Sequence, residues 1–213
     1  MIAIVDYGLG NLGSVIKAFK RVGADVELCG DPERLRAADA LVLPGDGAFG
    51  ATMLEIRRRG LDGLLREAVA AGMPVLGICI GMQVLFEASE EHGPHAGLGL
   101  LRGRVRRFPA GLPVPHMGWN SLRAARRHPA LGSLNDGEHV YFVHSYYAEA
   151  EAADVLATSD YGFHFPAVVG RGNLLGMQFH PEKSQAVGLR LVAAFVDWVA
   201  AAKPASALGG ARA

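Results

Sequence analysis

The chain has 213 residues, half of them hydrophobic, with 21 acidic and 21 basic side chains and a formal net charge of zero. That length suits one domain with a sizeable core, and the charge balance gives no electrostatic case for a nucleic acid or an anionic membrane as partner. Two cysteines, Cys29 and Cys79, with no C-x-x-C pair and no basic leader before the first strand, argue against a disulfide framework and a signal peptide, so a cytoplasmic protein is expected.

The opening "MIAIVDYGLGNLGSVIKAF" predicts a strand over 2–6, a glycine turn and a helix over Leu12–Arg21. Gly8, Gly10 and Gly13 spell G-x-G-x-x-G in the strand-to-helix setting of a dinucleotide fingerprint, although three glycines in a chain of 28 make a weak signal. Further apolar runs alternate with segments of helical period: "DVELC" with "PERLRAA", "ALVLPG" with a helix over 53–71, and "PVLGIC" with a helix over 80–89. Continuous apolar strands separated by helices predict an open, twisted, mostly parallel sheet covered on both faces, an α/β fold.

From Leu100 the pattern changes to strand-like pieces with turn-sized spacers: "LRGRVRRF", "VPHMGWNSL", "HVYFVHSYYAE", "VLATSDYG" and "FPAVVGRGNLLGMQFH". These predict additional antiparallel or mixed sheet in the second half. A last helix over Gln185–Ala202 sets Leu189, Val192, Val196 and Val199 on one face, and Asp197 interrupts its most apolar part, so no membrane span is expected. The expected organisation is a single domain over 1–202 and a flexible tail over 203–213.

Chemistry concentrates at three strand ends. Gly77, Cys79 and Gly81 form G-x-C-x-G, the cysteine counterpart of a nucleophile elbow, followed by a helix whose unpaired N–H groups suit an anionic nucleophile. A buried structural cysteine is the competing reading of the same residue. At "LLGMQFHPEKS", Pro181 ends an apolar strand after His180, and Glu182, two residues on, projects to the same side of an extended segment, able to orient the imidazole as a base. In "LVLPGDGAFG", Gly45, Asp46 and Gly47 make a glycine-rich turn that, with the Ile80 N–H, offers donors to an oxyanion. The remaining histidines have no metal-ligand spacing, and neither a metal nor a cofactor is expected.

The motifs "LPGDGAF", "GICIGMQ", "PHMGWN", "YFVHSYY" and "GMQFHPEKS", in this order over nearly the whole chain, resemble the class I glutamine amidotransferases, whose fold is flavodoxin-like. Within that class, "DYGxGN", "HMGWN", "FVHSYY" and the final "KS" are similar to the glutaminase subunits of imidazole glycerol phosphate synthases of histidine biosynthesis. The resemblance implies that Cys79 attacks the carboxamide of L-glutamine, that His180 is base and then acid, and that Glu182 orients it. It also implies that Gly45, Asp46, Gly47 and Ile80 form the oxyanion turn. Gly81, Gln83, Tyr141, His144, Ser145 and Tyr146 would line or support the glutamine pocket, and Asn11, Trp119, Asn120 and Lys183 would lie at an interface. The partner implied is a (β/α)8 barrel cyclase subunit, forming a heterodimer and receiving the ammonia internally. The glutaminase partners of anthranilate, guanylate or pyridoxal phosphate synthesis, and an inactive binding subunit of the same fold, are the alternatives; "HMGWN" and "FVHSYY" point away from the first three.

One residue departs from the resemblance. Asp46 stands where the family commonly has a small apolar side chain, and a carboxylate beside a developing oxyanion is harmful, so it is expected to face solvent or a basic group. The first glycines become the "DYGxGN" loop, with Asn11 capping the helix at Leu12 or bonding across an interface, and no dinucleotide is required.

Overall fold

A computed structural model describes residues 1–132 and 134–202; the tail read over 203–213 lies outside the described residues. In chain order the elements are β1 (Ile2–Val5), α1 (Leu12–Arg21), β2 (Val26–Cys29), α2 (Pro32–Arg36), β3 (Ala40–Leu43), α3 (Phe49–Arg58), α4 (Leu61–Ala70), β4 (Val75–Ile78) and α5 (Ile80–Gln83). There follow β5 (Ala88–Ser89), β6 (His95–Ala96), β7 (Gly103–Arg107), β8 (His116–Ser121), β9 (Arg123–Ala124), β10 (His139–His144), β11 (Tyr146–Ala150), β12 (Val155–Asp160), β13 (His164–Arg171), β14 (Leu174–Met177) and α6 (Gln185–Ala202).

The apolar runs of β1, β3, β4 and β14 are buried at every residue, which is what a central strand covered on both faces requires. They belong to an eight-stranded sheet in the order β2-β1-β3-β4-β14-β13-β12-β9. The first five of these strands run parallel, and β13, β12 and β9 continue the same sheet antiparallel. The two halves distinguished by pattern therefore meet inside one mixed sheet. A two-stranded ribbon, β8 with β10, and a four-stranded sheet, β11-β7-β5-β6, complete the architecture. Chain order reverses between β1 and β3, so the crevice at the carboxyl ends of β1, β3, β4 and β14 is the place where such a sheet receives a ligand.

Three local expectations change. The helix expected over 53–71 is two helices, α3 and α4, because Gly60 between them adopts φ 67, a left-handed turn that interrupts the helical ladder. The helix expected over 80–89 stops at Gln83. Carbonyls of Val84, Leu85 and Phe86, which a longer helix would use, instead accept from the N–H groups of Leu98, Leu100, Leu101 and Gly99. The buried stripe of α6 is Gly188, Leu191, Val192, Phe195 and Val199, one step round from the stripe expected.

Phe195 meets Phe19 of α1 edge to face, with ring centroids 6.2 Å apart, tying α6 to one face of the sheet. By length and a mean hydropathy of 1.4, α6 passes for a membrane span, but Arg190 and Asp197 are exposed along it and its stripe packs on α1, β10 and the short 3-10 segment Pro181–Lys183, as in a core helix.

Gly188 is where that packing is tightest, since a Cβ there would stand 1.9 Å from the Pro181 carbonyl oxygen. Alanine in a helix interior is ordinarily worth about 0.5–1 kcal/mol over glycine, whereas forcing volume into a packed contact costs about 1–3 kcal/mol. Overpacking wins, so Gly188→Ala is expected to lower the urea midpoint; an unchanged or higher midpoint would show that α6 does not rest on this turn.

Candidate active site

Cys79 follows β4 with φ 54 and ψ −112, a strained backbone for a residue with a side chain. Its neighbours explain how the strain is held. A Cβ on Gly77 would lie 2.4 Å from the Gly81 carbonyl oxygen, and one on Gly81 would lie 1.9 Å from the Leu43 carbonyl oxygen. The G-x-C-x-G spacing thus records backbone packed on backbone at the ends of β3 and β4, and the Cys79 N–H, donating to Met177 O at 2.8 Å, ties the elbow to β14. Only one helical turn follows, so the helix-end effect shrinks to the N–H groups of that turn, of which the Ile80 N–H has no intrahelical acceptor. Cys29 lies elsewhere, buried, with its Sγ 3.6 Å from Asp31 O.

His180 leaves β14 on a loop held by main-chain groups of Tyr141. Its N–H donates to Tyr141 O, the Tyr141 N–H donates to Ser184 Oγ at 2.9 Å, and that hydroxyl donates to His180 O at 2.6 Å. The segment after it is not extended as expected: Pro181–Lys183 is a 3-10 turn, and the turn itself carries Glu182 round to the imidazole. His180 Nδ1 and Glu182 Oε1 are 2.8 Å apart, both side chains 2% exposed. Burial opposes a charged ring, but hydrogen bonding and charge from Cys79 and Glu182 outweigh it and raise the His180 pKa to about 10. The other nitrogen, Nε2, makes no aligned hydrogen bond, although the sulfur is near enough to favour a proton on the ring.

The turn after β3 lies flat against the elbow: a Cβ on Gly45 would be 2.9 Å from Gly81 N, and Gly47 has φ 110. The first loop grips it from the other side. Tyr7, fully buried, donates its hydroxyl to Pro44 O, and burial, followed by the Cys79 and Asp46 groups, raises the Tyr7 pKa so that the phenol keeps its proton. The Asn11 N–H donates to Asp46 Oδ2 at 2.9 Å, while the Asn11 side chain caps α1 at Ser14 N. Gly8 and Gly10, at φ 82 and 104, shape this loop. Asp46 does not turn wholly outward. Its side chain is 40% exposed, and Oδ1 stands 3.8 Å from His180 Nε2.

Asp46, Gly47, Cys79, Ile80, Gln83 and the run from His144 to Tyr146 line a cavity of about 260 Å³. Gly45, Gly81 and Tyr141 lie behind that lining, where they hold the turn, the elbow and the histidine loop. Two residues not anticipated from sequence join them. Glu91 faces the cavity while its Oε2 accepts the Phe49 N–H, and Gln178, fully buried, has its Nε2 3.9 Å from the Cys79 sulfur. Gln178 stands within the quoted "GMQFHPEKS", but nothing in that string points its amide at the elbow. Among the described residues no group of three or more His, Cys, Asp and Glu side chains is placed to hold a metal.

A buried polar chain runs outward from this cavity. Gln83 Nε2 donates to Tyr146 O and to Gln178 Oε1, each at 3.0 Å. Tyr146 O also accepts from His144 Nδ1 at 2.8 Å; a carbonyl only accepts, so His144 carries its proton there and its Nε2 accepts from His116 Nδ1 at 3.0 Å. His116 Nε2 in turn accepts from Asn120 Nδ2 at 3.2 Å, which also donates to Asp160 O. Burial lowers the pKa of His116 to about 4 and, with smaller effects from neighbours, that of His144 to about 3, so both rings are neutral links.

Asn120 belongs to the β8–β10 ribbon, whose outer face shows Met117, 61% exposed, and Trp119, 46% exposed. Trp119 lies edge-on to Tyr141, its cross-strand partner. Lys183 lies on the 3-10 turn after His180, and Asn11 lies on the first loop.

A sequence model of a family described as glutamine amidotransferase class-I matches residues 3–197. The imidazole glycerol phosphate synthase subunit HisH of Symbiobacterium thermophilum is 54% identical over 193 residues, covering 90% of this chain and 91% of that one. The subunit of the same description from Salinibacter ruber is 54% identical over 200 residues, covering 90% and 92%. A crystal structure of a glutamine amidotransferase shares the fold with a TM-score of 0.75 at 23% identity, over 93% of this chain and 98% of the other. PurLQS from Thermotoga maritima gives the same TM-score and coverages at 18% identity.

The histidines make stability depend on pH with opposite signs. The raised pKa of His180 contributes stability that is complete below the free imidazole value of about 6.5 and is lost as pH rises through about 10. The depressed values of His116 and His144 contribute stability above about 6.5 that is lost as pH falls toward 4 and 3. Melting followed from pH 4 to pH 10 is expected to show Glu182→Gln least stable relative to the parent below about pH 6.5, the gap closing toward about pH 10. A gap that widens with pH would contradict the His180–Glu182 pairing.

Proposed function

The chain belongs to the class I glutamine amidotransferases, and from that membership we propose that it is the glutaminase subunit of an imidazole glycerol phosphate synthase, with Cys79 as nucleophile, His180 as acid and base, and Glu182 orienting the ring. The observation that carries the assignment of roles is a strained cysteine on the wall of a crevice, beside an imidazole whose far nitrogen is held 2.8 Å from a buried carboxylate. In this reading Cys79 Sγ attacks the carboxamide carbon of L-glutamine. His180 gives a proton to the leaving nitrogen, ammonia departs, and a glutamyl thioester remains. Water, deprotonated by His180, then attacks the thioester and releases L-glutamate with the thiol restored.

The other residues divide the work of holding substrate. Gln83 Oε1 is a buried acceptor without a protein donor and is placed to receive a substrate N–H. Glu91, a carboxylate on the same wall, suits the α-ammonium group. The Ile80 N–H and the backbone of the Gly45 to Gly47 turn are the donors for the tetrahedral oxygen. Enclosure matters because ammonia in neutral water becomes ammonium, which is no nucleophile.

The relatives' description as synthase subunits supports a cyclase partner of the (β/α)8 type, and the exposed Trp119 and Met117 beside the crevice are the apolar patch to which we assign its docking, with Asn11, Asn120 and Lys183 around it. The cytoplasm is the compartment in keeping with that pathway and with two unpaired cysteines.

The test is glutamate release from glutamine by the chain alone and with a barrel cyclase subunit and its ribulosyl substrate. A large stimulation by the liganded partner is expected, abolished in Cys79→Ala and weakened in Trp119→Ala through a higher partner concentration for half-effect. Cysteine-dependent release indifferent to the cyclase would reassign the pathway, and no cysteine-dependent release with any acceptor subunit would indicate an inactive binding subunit.

A further inference from the structure

We propose that Asp46 is a built-in restraint on catalysis: its carboxylate, latched by the Asn11 N–H, lies on the oxyanion side of Cys79 and must be withdrawn before glutamine is cleaved. The inference rests on the glutaminase reading and adds to it a residue that acts by holding the site back.

The placement is specific. Asp46 sits in the centre of the turn offered as the oxyanion site and lines the same cavity as Cys79 and Ile80. One oxygen accepts the Asn11 N–H at 2.9 Å, and the other stands 3.8 Å from His180 Nε2, the nitrogen that exchanges its proton with sulfur and leaving group. The imidazole is therefore flanked by two carboxylates, Glu182 at Nδ1 and Asp46 toward Nε2. Glu182 fixes the ring for catalysis. Asp46, 3.8 Å from Nε2 and so without a hydrogen bond to it, sets negative charge where the tetrahedral oxygen must gather its own, which slows the reaction.

Withdrawal needs little rearrangement. The side chain is 40% exposed and contributes little to the core, and its single hydrogen bond is to a backbone N–H of the glycine-rich first loop. Gly10 in that loop and Gly47 in the turn both have positive φ, so each of the two segments joined by the latch turns at a residue without a side chain. The turn itself stays anchored through the Tyr7 hydroxyl on Pro44 O. A shift of Asn11 and the glycines beside it, with Tyr7 left in place on Pro44 O, would release Asp46 without dismantling the elbow, which gives this part of the loop a means of linking ammonia production to events at the mouth of the crevice.

Asp46→Asn keeps the size and an acceptor for the Asn11 N–H but removes the charge; Asp46→Ala removes both. Glutamate release by the chain without a cyclase is expected to rise at least about tenfold in Asp46→Asn and further in Asp46→Ala, in kcat rather than KM, with faster alkylation of Cys79 by iodoacetamide. Rates within about twofold of the parent, or slower, in both assays would overturn the restraint. Alkylation requires no glutamine, so it judges the restraint even if the glutaminase reading fails. Should both variants fail to fold, the unaltered chain decides: after Cys79 is captured by a glutamine-like chloroketone, a crystal structure is expected to show the Asp46 carboxylate gone from the Asn11 N–H, whereas an intact bond beside an occupied oxyanion site would refute the idea.

Discussion

Leu43, Gly77 and Gly81 approach so closely that carbonyl oxygens occupy the space where side chains would otherwise stand, 1.9 Å and 2.4 Å from the positions of absent Cβ atoms. This contact joins the ends of two adjacent parallel strands to the turn that follows Cys79. A positive φ at a cysteine costs on the order of 1–3 kcal/mol, and packing on both sides must over-determine it for the strain to persist. Any side chain at either glycine would push the turn off the sheet and move the sulfur from its place on the cavity wall. The Gly45 turn rests on the same elbow, the Cys79 N–H binds Met177 O, and β14 delivers His180, so Cys79, His180 and the Gly45 to Gly47 turn inherit their relative positions from one backbone contact.

Electrostatics then differentiates groups of similar type. Three histidines lie within the polar network of the site, yet His180 is held cationic by Cys79 and Glu182 while His116 and His144 are held neutral by burial. Desolvation acts on all three in the same direction; only His180 has a carboxylate at hydrogen-bond distance to reverse it. The neutral pair links the outer ribbon at Asn120 to Tyr146 O beside Gln83, so that the apolar ribbon face and the cavity wall share one set of hydrogen bonds. The carboxylates separate likewise. Glu182 is enclosed with the ring beside it, Glu91 is tied to the Phe49 N–H, and Asp46, 40% exposed, accepts from the Asn11 N–H of the first loop.

The opening loop shows how a motif acquires its meaning from its surroundings. Gly8, Gly10 and Gly13 satisfy the spacing of a phosphate-binding turn, and their place at the carboxyl end of β1 is where such a turn would sit. Instead the residues beside them do the structural work: Tyr7 reaches the Pro44 carbonyl and the Asn11 N–H the Asp46 carboxylate, so the loop clamps a neighbouring turn of the same chain. Local spacing constrains the shape of a loop; the neighbouring strand decides what the loop touches.

By itself, the sequence determined the properties that depend on near neighbours. Unbroken apolar runs marked the parallel strands, G-x-C-x-G marked the elbow, proline after His180 marked the end of β14, and the ordered motifs identified the family. Each rests on periodicity or backbone freedom within a few residues. Tertiary structure alone decided what depends on distant segments. The helix after Cys79 ends after one turn because residues 98–101 take its carbonyls, and the helix after the oxyanion turn divides at Gly60. Gln178, Glu91 and Tyr7 enter the site through contacts across 99, 42 and 37 positions, which no local pattern encodes. Asp46 was legible as an anomaly in the turn, but the direction of its carboxylate was not, because that direction is set by an N–H and an imidazole lying 35 residues before it and far beyond it in the chain.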